Sequence, residues 1–305
     1  MQHIPVLFHE VLDVLNPVPG GLYVDGTIGA GGHSRGILER SSPDGQLIGI
    51  DRDPAALALA GSNLAEFSDR VTLIHGSYVE LVSHLNNRNW HTVDGILIDL
   101  GLSTMQLDTP ERGFSFRFDA PLDMRFDPDQ SFSAADLVNE YTREELAEII
   151  FTYGEEKFSR RIADAIIANR PLATTKELAE LIKGVVPYTR SKIHPATRTF
   201  QALRIVVNNE LNALEVFLPA ALEVLKPGGR LAVIAFHSLE DRIVKRYFRE
   251  ESKDCICPPE IPICVCSHKA KIKEISRRPI RPEDSEIDGN PRARSAKLRA
   301  VEKIF

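Results

Sequence analysis

Three aspartates in the first third of the 305-residue chain share the same kind of surroundings. Each closes a short, mostly apolar run that has the length of a β-strand, and the three are Asp25, Asp51 and Asp99. Four glycines follow the first of them within residues 26–32. Glycine permits positive φ and lets a ligand approach the backbone closely, and an acid at the end of the next strand can accept hydrogen bonds from both ribose hydroxyls. The pattern indicates a site for a cofactor that contains adenosine.

The spacing of these glycines bears on which cofactor binds. A dinucleotide site has the pattern G-x-G-x-x-G, and counting from Gly29 places Ser34 where the third glycine belongs. S-adenosylmethionine has no pyrophosphate and does not need that glycine. A loop through Gly29 and Gly31 suits its amino acid and sulfonium groups. The residues favour an S-adenosylmethionine-dependent methyltransferase, with an NAD-dependent dehydrogenase as the alternative.

Seven short segments have the composition of strands, and these segments would position the acids. They are 22–24, 46–50, 71–74, 93–98, 230–236, 272–276 and 296–303. Strands that are apolar almost throughout and alternate with helices are typical of a parallel sheet covered on both faces. In such a sheet, ligands bind beyond the carboxyl ends of the strands. We therefore predict an α/β fold, with the Rossmann-like sheet of class I S-adenosylmethionine-dependent methyltransferases and an inserted helical domain.

The middle of the chain interrupts the sheet pattern. Residues 107–131 show no clear period, and helical patterns follow them. Capping boxes, in which a Thr and a Glu three residues later cap a helix start, begin at Thr142 and Thr174. A further helix is expected from about 195 to 209, with 218 as an alternative end. We predict a methyltransferase domain from 1–107 and 209–305, and an inserted helical substrate-recognition domain from 108–208.

The charge distribution points to an anionic partner. The chain carries a formal net charge of −6, but residues 267–305 hold 11 Lys or Arg against 6 Asp or Glu. A basic tail on an acidic body is typical of proteins that bind anions, and a solvated surface is the alternative. No apolar run has the length of a membrane span, and residues 1–14 lack the features of a signal peptide. We therefore expect a cytoplasmic protein without a membrane partner.

All four cysteines lie in one short segment. Cys255, Cys257, Cys264 and Cys266 form the pattern C-x-C-x6-C-x-C. Four thiolates can bind Zn²⁺ tetrahedrally, although the C-x-C pair is tighter than the usual spacing. Two interpretations stand, a structural zinc site and four reduced thiols without a metal. So few cysteines argue against a disulfide-stapled secreted scaffold.

Short motifs spread over nearly the whole chain carry a family resemblance. They are His3-x-Pro5-Val6-Leu7, Gly29-Ala30-Gly31-Gly32-His33-Ser34, Ile50-Asp51-Arg52-Asp53-Pro54, Asp99-Leu100-Gly101-Leu102-Ser103 with Gln106-Leu107-Asp108, Arg112-Gly113-Phe114-Ser115-Phe116, Asp123-Met124-Arg125, and Asn290-Pro291-Arg292-Ala293-Arg294-Ser295. On these motifs the chain resembles the bacterial RsmH (MraW) family of small-subunit ribosomal RNA cytosine-N4 methyltransferases. The set is far more specific than any one motif.

The resemblance implies S-adenosylmethionine as the cofactor and assigns residues to it. These residues are Gly31, Gly32, His33, Asp51, Tyr78, Asp99 and Gln106. The two glycines and His33 would line the methionine part, and Asp51 would hold the ribose. Tyr78 would lie against the adenine, at a position where the family often has Phe.

The resemblance also implies methylation of a cytidine N4 amine in the decoding centre of 16S rRNA, with the 30S subunit as partner. The amine would attack the methyl group directly, so no Cys nucleophile is expected. Because its lone pair is delocalised into the ring, the enzyme would align the groups and place an acceptor near the amine protons. Asp99 is the candidate acceptor. The segment Asp99-Leu100-Gly101-Leu102 lacks the prolines and aromatic residue of the D/N-P-P-Y/F/W motif of DNA amino-methyltransferases, so a role in cofactor binding alone stays open.

Cations and aromatic residues in the middle of the chain would contact a flipped base or its backbone. We expect these contacts from Arg112, Phe114, Phe116, Arg117, Arg125, Arg198 and Arg204. Packing of the two Phe side chains against the protein is an equal alternative. Two other functions stay open: a methyltransferase that acts on DNA or a small amine, and an RNA-binding ribosome assembly factor without catalysis.

Overall fold

A computed structural model describes residues 5–187, 194–258, 260 and 263–305. The chain divides into two compact units, one of residues 1–101 and 211–305 and the other of residues 102–210. His3, part of one motif of the family resemblance, lies outside the described residues. Within the described ranges, no helix is both long enough and apolar enough to span a membrane.

A seven-stranded sheet forms the centre of the first unit. Its strands are β1 (Leu22–Asp25), β2 (Gln46–Asp51), β3 (Val71–His75), β4 (Val93–Asp99), β5 (Leu225–Ala235), β6 (Ile272–Glu274) and β7 (Lys297–Lys303). They lie in the order β3-β2-β1-β4-β5-β7-β6. Strands β1 to β5 are parallel to one another, whereas β7 is antiparallel to both β5 and β6. The predicted α/β fold is confirmed, with a strand at each of the seven predicted segments.

Helices cover both faces of this sheet. The helices of the described chain are α1 (Phe8–Leu15), α2 (Gly32–Arg40), α3 (Pro54–Asn63), α4 (Leu81–Asn86), α5 (Thr104–Asp108), α6 (Ala134–Glu140), α7 (Arg143–Gly154), α8 (Ser159–Ala168), α9 (Thr175–Val185), α10 (Thr197–Asn208), α11 (Glu210–Val224), α12 (Ser238–Glu251) and α13 (Asp284–Gly289). Side chains alternate between the faces of a strand. In β4, Ile96 and Ile98 pack with residues of α4, α11 and α12, whereas Leu97 packs with residues of α1, α2 and α3.

One strand boundary differs from the sequence prediction. The fifth strand begins at Leu225, earlier than the predicted start at residue 230. Leu225 pairs with Val93, after which the register shifts, and Gly228 has a φ of 78°. A glycine in this conformation permits the bulge that lets the strand continue. The adjacent Gly228 and Gly229 are typical of a turn, so the sequence predicts a strand that begins only after them.

The second unit is helical. Its core is formed by residues of α6 to α10 and includes the fully buried Leu137, Ile150, Ile166, Ile182 and Leu203. The capping boxes at Thr142 and Thr174 are both present. The helix predicted from about residue 195 ends at Asn208, because Asn209 has a φ of 53° and a separate helix follows from Glu210. The alternative end at residue 218 is therefore wrong.

The long segment of residues 107–131 is held by its own hydrogen bonds. Arg112 donates through Nη2 to the carbonyl oxygens of Arg125 and Phe126, both at 2.9 Å. Gly113 has a φ of 68°, and a Cβ atom there would lie 2.3 Å from the carbonyl oxygen of Pro121. Only glycine fits this turn without displacing the backbone. The segment thus has a defined path even where it forms no helix or strand.

Candidate active site at the carboxyl edge of the sheet

Three carboxyl groups meet at one edge of the sheet. β2, β1 and β4 are adjacent and parallel, so their final residues, Asp51, Asp25 and Asp99, come together. Asp25 is only 2% exposed, and 28% of the Asp99 side chain is exposed. Negative charges gathered in a poorly solvated place are unfavourable unless a cation or hydrogen bonds compensate them.

Asp25 is the most buried member of this cluster. Its carboxylate accepts hydrogen bonds from the Ser34 hydroxyl at 2.7 Å and from the Thr27 backbone N–H at 3.3 Å. Burial raises the pKa of Asp25 to about 6, and the charge of Asp51 adds to this rise, whereas the two hydrogen bonds oppose it. Asp25 was not among the residues predicted for the site. Its position at a strand end was the one indication in the sequence.

Asp51 fixes the glycine turn. Its Oδ2 accepts a hydrogen bond from the Gly29 N–H and its Oδ1 one from the Asp53 N–H, both at 2.9 Å. Gly29 and Gly31 have φ values of 52° and 80°, a conformation that glycine adopts without strain. Burial raises the pKa of Asp51, and the nearby Asp53 charge adds to the rise. The acid at the end of β2 therefore shapes the loop after β1, a role that the sequence did not indicate.

Asp99 combines a fixed backbone with an unsatisfied side chain. Its N–H donates to the Thr27 hydroxyl at 2.7 Å, and its Oδ2 lies 3.9 Å from His33 Nδ1. Its Oδ1 is buried and makes no hydrogen bond within the described part of the chain. Burial raises the pKa of Asp99 well above its ordinary value, and the charges of Asp25 and Glu240 raise it further. A buried acceptor without a partner is a natural contact for a ligand.

The residues around the glycine turn pack tightly. His33 is 6% exposed, and its Nε2 donates to the Val6 carbonyl at 3.0 Å. A Cβ atom on Gly32 would lie 2.4 Å from the Pro5 side chain. The resemblance assigned Gly31, Gly32 and His33 to the cofactor. The structure places all three at the start of α2. Of these, His33 lies near Asp99, and Gly32 is required by its packing against Pro5.

Two other residues assigned to the cofactor lie in different units. Tyr78 follows β3, is half-buried and packs edge-on against Phe217 with ring centroids 5.1 Å apart. A Cβ atom on Gly26 would lie 3.1 Å from Tyr78 Cβ, so this aromatic residue adjoins the loop after β1. Gln106 belongs to the second unit, where it forms a capping box with Ser103 at the start of α5. Within the first unit, the structure therefore brings Tyr78 next to the loop that follows Asp25, and Gln106 is described by the contacts of its own unit.

The three carboxyl groups at this edge of the sheet favour a cationic cofactor over an anionic one. A dinucleotide would place the negative charges of its pyrophosphate near three carboxyl groups with raised pKa values. S-adenosylmethionine instead carries a cationic sulfonium and an ammonium group, which carboxylates attract. The unpartnered Oδ1 of Asp99 offers such a cation a contact. The residues present fit S-adenosylmethionine and disfavour NAD.

A pocket of about 240 Å³ lies just beyond β5, the neighbour of β4. Its lining includes Arg281, Arg294 and Lys297. Lys297 is paired with Asp241 at 3.1 Å, and both arginines are exposed. His237 also lines the pocket, and its Nδ1 accepts from the Glu240 N–H at the start of α12, so it has a structural role. A pocket with exposed arginines suits an anionic group.

The aromatic residues predicted to contact RNA lie mostly inside the second unit. Phe114 is 7% exposed, and Phe116 packs against Phe200 with ring centroids 4.9 Å apart. The packing alternative is therefore favoured for both. Phe118, which was not predicted, is 50% exposed and follows the exposed Arg117. The sequence held no indication of which of these rings would face solvent.

The arginines predicted to contact phosphate differ in exposure and in whether they already pair with an acid. Arg204 makes two hydrogen bonds to the Glu210 carboxylate, at 2.8 and 2.9 Å. The two side chains are only 13% and 7% exposed, so Arg204 is a buried structural residue. Arg125 is bound to Asp123. Arg198 Nη1 lies 3.7 Å from Glu156 Oε2, but half of the Arg198 side chain is exposed, so it is accessible to a ligand.

Comparison with known proteins identifies the family. The MraW methylase family model matches residues 1–304. The chain is 53% identical to the ribosomal RNA small subunit methyltransferase H of Heliobacterium modesticaldum, over 99% of both chains. It is 55% identical to the protein of that name from Dehalococcoides mccartyi, over 99% of this chain and 87% of the relative. A crystal structure of an rRNA methylase from Streptococcus thermophilus is 10% identical, with a TM-score of 0.45 and 99% of each chain covered. As its motifs predicted, the chain is a methyltransferase that belongs to the MraW methylase family.

Proposed function

We propose that this chain uses S-adenosylmethionine to methylate the N4 amine of a cytidine in the decoding centre of 16S rRNA. The proposal is carried by full-length relatives, 53% and 55% identical, that are named ribosomal RNA small subunit methyltransferase H. The 30S subunit would be the partner, and such a substrate would place the reaction in the cytoplasm. In the first unit, the acidic strand ends support binding of the cationic cofactor, and the basic pocket supports binding of RNA.

The proposed cofactor residues are those of the resemblance, namely Gly31, Gly32, His33, Asp51, Tyr78, Asp99 and Gln106. When bound, S-adenosylmethionine supplies a methyl group on a cationic sulfur. Each oxygen of the Asp51 carboxylate accepts one backbone hydrogen bond and keeps a second lone pair. These lone pairs would accept hydrogen bonds from the ribose hydroxyls. Tyr78, which adjoins the loop after β1, would lie against the adenine. Gln106 is assigned on the family motif alone.

Asp99 is the proposed acceptor for the amine proton. Its raised pKa means that the carboxylate binds a proton more readily than an ordinary aspartate does. By accepting a hydrogen bond from the amine, Asp99 would increase the electron density on the nitrogen and make it a better nucleophile for the methyl group. The amine must lose one proton when the new C–N bond forms, and the buried Oδ1 is an available site for it. His33, 3.9 Å from Oδ2, would help to orient the carboxyl group.

Two surfaces are proposed to hold the RNA. In the first unit, the pocket with Arg281 and Arg294 would bind backbone phosphate. In the second unit, the exposed pair Arg117 and Phe118 would contact a phosphate and stack on an unpaired base. This second contact is the reason to propose that the helical insert recognises the substrate.

Methyl transfer from labelled S-adenosylmethionine tests the substrate. The purified chain would be given 30S subunits, naked 16S rRNA, DNA and small amines, and the labelled nucleoside would be identified by mass spectrometry. We expect N4-methylcytidine from 30S subunits or 16S rRNA. Methyl on cytosine C5 or on ribose would overturn the amine assignment. Transfer only to DNA or a small amine would support the alternative enzyme, and cofactor binding without any turnover would support a non-catalytic assembly factor.

The RNA contact of the insert can be tested separately. Phe118→Ala removes the exposed ring, and base stacking on an aromatic residue is worth about 1 to 3 kcal/mol. We expect the affinity for 30S subunits to fall by about fivefold to 150-fold on that basis, with cofactor affinity unchanged. Phe151→Ala is the matched control, because Phe151 is also in the second unit and is 61% exposed. Equal effects of the two changes would remove the specific role of Phe118.

A further inference from the structure

The four cysteine sulfurs converge on one point. All four Sγ atoms lie within 4.8 Å of one another, with Cys264 and Cys266 at 3.6 Å and Cys255 and Cys266 at 3.8 Å. A disulfide would bring two sulfurs to about 2.05 Å, so these are separate thiols. Zn–S bonds of about 2.3 Å in a tetrahedron separate the sulfurs by about 3.8 Å. The observed spacing is that of a tetrahedral thiolate site.

The two C-x-C arms are linked by crossed hydrogen bonds. The N–H of Ile256, between the first two cysteines, donates to Cys266 Sγ at 3.5 Å. The N–H of Val265, between the last two, donates to Cys257 Sγ at 3.4 Å. Each arm thus supplies a backbone donor to the final cysteine of the other arm. Such donors stabilise negatively charged thiolates and orient them as metal ligands.

The described residues of the cysteine segment form no apolar core that could hold the sulfurs together. The segment lies between α12 and β6, and its described residues form no helix or strand. The large apolar side chains that the structure describes in this segment are exposed: Ile256 by 48%, Ile263 by 76% and Val265 by 74%. A disulfide or a metal is a common way to stabilise a small unit without a core. The four cysteines form no disulfide, and their convergence fits a shared metal ion as the link.

We propose that Cys255, Cys257, Cys264 and Cys266 bind one structural Zn²⁺ ion. All four positions of a tetrahedral ion would be filled by protein sulfur, so no position stays open for a substrate or a water. The ion would order the segment between α12 and β6 and would take no part in methyl transfer. The inference goes beyond the proposed function and does not depend on it.

Metal analysis of the full chain tests this site directly. The protein would be purified with reductant and without chelator, and its zinc content measured by mass spectrometry. We expect about one zinc ion per chain for a closed four-cysteine site. The double change Cys255→Ser and Cys266→Ser should abolish it. His268→Ala is the matched control, because His268 is a potential ligand in the same segment whose Nε2 instead lies 3.2 Å from the Glu250 carbonyl, and it should keep the metal.

Replacing zinc with Co²⁺ provides a second measurement, which reports the coordination geometry of the bound metal. Metal-free protein loaded with Co²⁺ should show thiolate-to-metal charge-transfer absorption and the intense visible bands of a tetrahedral site, and the double variant should show neither. Far-ultraviolet circular dichroism and Trp90 fluorescence would establish that the variants keep the fold of the first unit. Zinc retained by the folded double variant overturns the proposal. So does a wild-type protein that neither contains zinc nor takes it up from a zinc buffer.

Discussion

The buried carboxyl group of Asp25 should make the stability of the first unit depend on pH. Burial raises its pKa from the ordinary 3.8 to about 6, so the folded state binds this proton more tightly than the unfolded state does. The stabilising contribution is complete below the unfolded pKa and is lost as the pH rises through about 6. At about 1.36 kcal/mol per pKa unit, the full effect is about 3 kcal/mol. Roughly half of it falls between pH 5 and pH 8.

Asp25→Asn removes this titration while keeping the shape of the side chain. The amide can still pair with the Ser34 hydroxyl and the Thr27 N–H, which are the two observed partners of Asp25. The free energy of unfolding of the variant, relative to wild type, should therefore rise by about 1.4 kcal/mol between pH 5 and pH 8. The comparison across pH cancels any constant effect of the substitution.

Urea unfolding followed by fluorescence measures this difference. Trp90 is the one tryptophan of the chain and packs against the core of the first unit, so it reports this unit. Asp241→Asn is the matched control. Burial alone would raise the pKa of Asp241, but hydrogen bonds from Arg299 and Lys297 outweigh burial and lower it. Its stabilising contribution is lost only as the pH falls below about 4, so the control should show no trend between pH 5 and pH 8. Parallel pH profiles of wild type and Asp25→Asn would refute the reasoning.

Three further predictions concern single side chains. Asp51→Ala should weaken S-adenosylmethionine binding by about 1 to 3 kcal/mol for each lost bond to a charged group, and unchanged affinity by calorimetry would remove the ribose assignment. Asp99→Asn should lower turnover at saturating cofactor. Weaker binding with turnover that recovers at saturation would restrict Asp99 to the cofactor, and full activity with normal affinity would leave it a structural strand end. Arg204→Met should destabilise the protein by about 3 to 5 kcal/mol, because it removes the guanidinium that pairs with the buried Glu210 carboxylate. Changing Glu210→Leu as well should restore most of that loss in urea unfolding, and a single variant as stable as wild type would contradict the structural role of Arg204.

Local patterns in the sequence determined the elements and the type of site. Apolar runs gave the strands, and a Thr with a Glu three residues later gave the caps of α7 and α9. The acids at the ends of β1, β2 and β4 and the glycines after β1 indicated the cofactor edge. These features follow from the sequence because each depends on neighbouring residues only: on side-chain period, on the φ that glycine permits and on hydrogen bonds within one turn.

The tertiary structure decided which of these residues act together. Strand order brings Asp25, Asp51 and Asp99 to one edge. Burial there raises the pKa values of all three, and the charge of Asp51 adds to the rise for Asp25, as does the charge of Asp25 for Asp99. The partner of Arg204 and the crossed hydrogen bonds of the cysteine segment likewise appear only in the fold. Such properties depend on distances that the path of the folded chain sets and on how much water surrounds the residues. Cooperative packing sets both, so no local pattern in the sequence contains them.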